Sequence, residues 1–85
     1  MHIDKPTTLG ELLDEARIIS IAEARRRGLS HEDASTVAQR VSFRLWQSIK
    51  QRKPIKSVEA WTRRTTADRL IAAQERFAKS HPGAI

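Results

Sequence analysis

Three hydroxyl side chains, Thr8, Ser30 and Ser57, constrain this chain more than anything else in it. Each stands just ahead of a segment with helical periodicity. Ser and Thr at that position accept a hydrogen bond from a free backbone N–H of the first turn. Thr8 with Glu11 fits the reciprocal capping box, and Ser30 with Asp33 repeats the spacing. The matching stops are Gly28, which suits the residue just past a helix end, and Pro54, which disfavours helical geometry in Lys53 and should end the second helix near Gln51. Three starts and two stops predict an all-α fold, a three-helix bundle with no β-sheet.

The faces follow from the spacing. In the first segment Leu9, Leu12, Leu13, Ala16, Ile18 and Ile19 form a broad apolar face, widened by Ile21 and Ala22. Glu11, Asp14 and Glu15 sit near its start and Arg25, Arg26 and Arg27 near its end, each sign complementing the helix dipole. In the second, Ala34, Val37, Ala38, Val41, Leu45 and Ile49 predict one buried stripe, with Phe43 and Trp46 beside it. In the third, a turn of about 100° per residue gathers Ala60, Ala67, Leu70, Ile71, Gln74, Phe77 and Ala78 on one side. Trp61, Thr65, Arg69 and Arg76 fall roughly opposite. One helical domain, residues 9–79, is expected between an N-terminal tail, 1–8, and a flexible C-terminal tail, 80–85. A domain of 85 residues buries only about two-thirds of its unfolded surface, so its stability should be modest.

Sixteen Lys and Arg oppose ten Asp and Glu, a formal net charge of +6. That excess favours an anionic partner, nucleic acid or an acidic protein surface. Eleven of the sixteen cations are Arg, which suits bidentate phosphate contact and stacking. There is no cysteine, which excludes disulfides and thiolate metal sites and fits a reducing cytoplasm. No apolar run approaches the roughly 20 residues of a membrane span, and no signal-peptide pattern opens the chain. His2, His31 and His81 are far apart, and neither a metal-ligand pair, a Gly-rich phosphate loop nor a nucleophile elbow occurs. No enzyme activity, catalytic residue, metal or cofactor is expected, and the membrane is not a partner.

The candidate binding residues cluster around the second break. Lys50, Arg52, Lys53 and Lys56 fall within seven residues, either a solvated turn or a rim that neutralises phosphates. Trp61 in the first turn of the third helix is either a core anchor or a ring that stacks on a base. Arg63, Arg64, Arg69 and Arg76 are either a solubilising face or a track for a nucleic-acid backbone beside it, although Asp68 among them opposes phosphate. Trp46 reads as an extension of the core stripe.

The order of these elements resembles region 2 of the extracytoplasmic-function group of bacterial RNA polymerase sigma factors. Asp33-Ala34 and Gln39 stand in register with that family's Asp-Ala-Glu-Asp-x-x-Gln-Glu segment, Arg44-Leu45-Trp46 with its end, and Ala60-Trp61 with the element after the loop. The similarity covers about residues 9 to 77. It implies a cytoplasmic transcription module that binds core RNA polymerase through the clamp helices of the largest subunit. It also implies capture of the non-template strand of the promoter −10 element as the DNA melts. On this resemblance Asp33, Gln39 and Arg40 belong to the polymerase-binding surface. Lys53, Ile55, Lys56, Trp61, Arg64 and Asp68 fall on the loop and helix that face DNA; the basic loop and the Arg-bearing helix add Lys50, Arg52, Arg63 and Arg69 to the candidate DNA-binding set. The chain departs from the pattern at Ser35-Thr36, Arg40, Thr62, Thr65 and Asp68, and the family's −35-reading region 4 is missing from it, which fits an excised domain, one half of a split sigma factor with region 4 on a separate polypeptide, or a sigma-shaped protein with a different task. The altered docking residues leave open a second reading, a sigma mimic that binds an anti-sigma factor or another protein partner.

Overall fold

The computed structural model describes residues 8–80, with side chains to residue 76. It contains three helices and no strand among the described residues: α1 (Leu9–Arg26), α2 (His31–Lys50) and α3 (Val58–Ser80). Of the expected tails, 1–8 and 80–85, residues 1–7 and 81–85 lie outside the described residues, while Thr8 caps α1 and α3 runs through Ser80.

The three caps stand where the hydroxyls predict. Thr8 Oγ1 accepts from the Glu11 N–H at 3.1 Å while the Glu11 carboxylate accepts from the Thr8 N–H at 3.0 Å. Ser30 Oγ accepts from the Asp33 N–H, and Ser57 Oγ from the Ala60 N–H. A cap of this kind contributes about 1 kcal/mol. Both helix ends close in one way. After α1, Gly28 takes φ 101° and the Leu29 N–H donates to the Ala24 carbonyl. After α2, the residue in that left-handed position is Arg52, at φ 58°, and the Lys53 N–H donates to the Ser48 carbonyl. Glycine adopts this conformation freely and arginine does not.

α1 packs against both other helices, whereas α2 and α3 meet each other much less. The fully buried positions are mostly small: Ala16, Ser20 and Ala24 on α1, Ala34 and Ala38 on α2, Thr62 and Thr66 on α3. Among the described residues only Val41 and Leu45 are large, apolar and fully buried. Each contributes about 1.5–3 kcal/mol by burial, so the core is thin.

The third helix is rotated from the expected face. Its buried side is Thr62 and Thr66, while Ala60 and Ile71 are exposed. Thr66 pairs with Ser20 through a buried hydroxyl–hydroxyl hydrogen bond of 2.7 Å, which ties α3 to α1. Thr62 is equally buried, yet its Oγ1 has no hydrogen-bond partner among the described residues. Phe77 and Ala78, assigned to the apolar face, lie beyond the described side chains. Two further apolar expectations are corrected: Ile18 is 69% exposed and Phe43 57%. Each lies away from its helix's buried side, set on α1 by Ala16, Ser20 and Ala24 and on α2 by Ala38, Val41 and Leu45.

Candidate nucleic-acid interface

Because α2 and α3 are each held by α1, a groove of about 1340 Å³ opens between them. From α2 it takes Asp33, Thr36, Val37, Arg40, Arg44 and Ser48, one face of the helix. From α3 it takes Trp61, Arg64, Thr65, Asp68, Arg69 and Arg76, and the loops add Arg27 and Lys53. Seven cations therefore face two carboxylates in one groove. That excess of five is nearly the whole chain's +6, so the charge is concentrated, not spread over unrelated surfaces.

Arg40, Arg44, Lys53, Arg64, Arg69 and Arg76 form no ion pair among the described residues. Neither do Asp33 and Asp68. Like charges gathered in a cleft and left uncompensated focus a positive potential that attracts anions. Arg27 is held differently. Its Nε donates to the Glu23 carboxylate at 2.7 Å, and Arg26 donates to both oxygens of that carboxylate at 3.0 Å. Glu23 is only 5% exposed, and these hydrogen bonds, Arg27's first, hold its pKa below the ordinary 4.5 against the opposing effect of burial. The pair fixes Arg27 at the groove's edge.

The structure divides the residues singled out in the sequence. Of the expected DNA-binding set, Lys53, Trp61, Arg64 and Arg69 line the groove, with Trp61 and Arg69 half-buried. Lys50, Arg52, Lys56 and Arg63 do not line it. Lys50 Nζ instead lies 4.5 Å from the centroid of the Trp46 ring, and Arg63 pairs with Glu59 at 2.8 Å. Of the expected polymerase-binding set, Asp33 and Arg40 are walls of the same groove. Gln39 borders a smaller neighbouring hollow of about 360 Å³ that shares Arg40, Arg44 and Arg69.

The two tryptophans are not brought together in the groove. Trp61 lines it, and Trp46 does not. Trp46 stacks on Phe43, centroids 5.7 Å apart, and Phe43 borders the smaller hollow beside the groove. Arg27 and Arg44 were not among the expected site residues. Arg40 and Arg44 stand four apart on one helix face, which is the signal that could have found that wall. Among the described residues no His, Cys, Asp and Glu cluster could hold a metal, and no helix is long and apolar enough to cross a membrane. Comparison with protein-family models, curated proteins and solved structures returned no match for this chain.

Proposed function

We propose that this protein holds an unpaired nucleic-acid strand in the groove between α2 and α3, as a sigma region 2-like module holds the non-template strand of a promoter −10 element. The observation that carries the reading is one cleft lined by seven cations and the half-buried Trp61. Guanidinium and ammonium groups neutralise phosphates by displacing counterions. An indole offers a flat face on which any base can stack, about 1–3 kcal/mol per base. A closed duplex keeps its base faces stacked inside, so the ring favours a melted strand. Core RNA polymerase is the proposed protein partner, approached through the outer side of α2 around Gln39. No catalytic step is part of the proposal.

A second reading has one observation in its favour. The exposed Phe43 and Lys50 flank the half-buried Trp46 in an aromatic and cationic cluster on α2 that does not line the groove. A sigma mimic that binds an anti-sigma factor would use such a face.

The test is binding of labelled non-template single strand, template strand and duplex across a salt series, with core polymerase co-elution in parallel. The first reading expects the single strand to bind tightest, with a salt slope that falls by about 0.7 in Arg69→Ala and stays unchanged in Lys56→Ala. Equal binding to every DNA refutes strand capture. Binding to no DNA together with capture of an anti-sigma domain selects the second reading.

A further inference from the structure

Asp68 is out of place in a phosphate-binding groove, and its position on α3 gives it another role. Trp61, Thr65, Asp68 and Ala72 all line the groove. Their spacing of four, three and four residues puts them in one row along the helix. Arg64 and Arg69 also line the groove, one on each side of that row. The middle of the wall therefore carries a flat ring, a hydroxyl, a carboxylate and a methyl, while the guanidinium groups form its borders. A strand whose phosphates follow the borders turns its bases toward the middle row.

Asp68 is four residues after Arg64, the spacing at which a helical ion pair forms, yet no such pair forms among the described residues. Its carboxylate stays open toward the groove. A carboxylate only accepts hydrogen bonds. Cytosine presents an exocyclic amino group that donates to it, whereas thymine presents a carbonyl oxygen at that place and, unpaired, donates only from the neighbouring ring N3–H. Two acceptors that meet without a proton repel, and a desolvated carboxylate left unpaired costs more than an exposed one.

Resting on the strand-binding reading above, we infer that the groove selects an amino-bearing base, cytosine against thymine, at the position opposite Asp68. That position is about 10 Å along α3 from Trp61 by helical rise, a short step down the strand from the base stacked on the indole. Asp68 is then the specificity-determining residue, and Trp61 the residue that accepts any base.

The test uses the whole chain and fluorescently labelled deoxycytidine and thymidine homopolymers of about ten nucleotides, within the range one small module covers. Anisotropy titrations are run at neutral pH. The expected result is cytidine binding about five- to tenfold tighter than thymidine binding in the native protein, the low end for one base contact. In Asp68→Ala and Asp68→Asn the two strands should bind equally, because alanine accepts nothing and an amide can turn either its oxygen or its nitrogen to the base. Asp68 is exposed, so both variants should fold. Equal binding by the native protein, with the single strand still bound, overturns the inference and leaves strand capture standing. A cytidine preference that survives in both variants also overturns it. Failure of both homopolymers to bind overturns the groove reading and this inference with it.

Discussion

Replacing Thr62 with valine should make this protein more stable. The Thr62 side chain is 0% exposed and its hydroxyl has no partner among the described residues. In the unfolded chain that hydroxyl is hydrogen-bonded to water, so folding forfeits a bond and regains none. A buried polar group left in this state costs about 1–3 kcal/mol. Valine has nearly the same shape, keeps the β-branch and removes the group that carries the cost. For a chain of this size each kcal/mol moves the melting temperature by about 4–8 °C. Thr62→Val should therefore raise it by at least about 4 °C in thermal or urea unfolding followed by helical circular dichroism. The same change one helical turn later should have the opposite sign. Thr66→Val strips Ser20 of its 2.7 Å partner and leaves a fully buried orphan, at a cost of about 1–3 kcal/mol. Adding Ser20→Ala to Thr66→Val should recover much of that loss, because removing both partners is nearly neutral. If Thr62→Val leaves stability unchanged or lowers it, that hydroxyl finds a partner in solution and the reasoning fails.

Three other outcomes are expected. Arg52→Gly relieves the left-handed φ of 58° and should stabilise the protein by about 0.5–1 kcal/mol, measured by urea midpoint, without changing strand affinity. Trp61→Ala should weaken single-strand binding by about 1–3 kcal/mol in anisotropy titrations; a variant that loses stability but binds normally would make the ring a core anchor. Glu23 contributes stability that is present above its unfolded pKa, because its folded pKa is held below the ordinary 4.5 by Arg27 and Arg26. The stability gap between the native protein and Glu23→Gln, followed by unfolding at successive pH values, should narrow as pH falls below 4.5 toward the folded value, and a gap that is flat there would contradict the pairing.

Helix existence was legible in this chain because caps and stops are local. Thr8, Ser30 and Ser57 act on N–H groups three residues away, and Gly28 needs no neighbour to adopt its φ. The inward face of α3 was not legible. Reading apolar residues as core assigned it to Ala60 and Ile71, but the side that packs carries Thr62 and Thr66. The buried Thr66 hydroxyl is satisfied by Ser20, 46 residues earlier, and no periodicity within one helix encodes that. The groove was half legible. Trp61, Lys53, Arg64 and Arg69 stand close in sequence and were found together. Arg27 and Arg44 come from other elements, and each alone looks like a solvated charge. Their convergence is a property of how α2 and α3 cross α1.

That crossing has a mechanical consequence. The two walls work as tweezer arms mounted on a common fulcrum, with little direct grip on each other. The aperture is therefore governed by how each arm seats on α1, at joints made of alanine, serine and threonine. Such joints offer little bulk to resist a slight roll, so an occupant of moderate thickness can widen the gap cheaply. Bulk added at Ala16 or Ala24 would act on the aperture from behind, prying the arms without touching anything held between them.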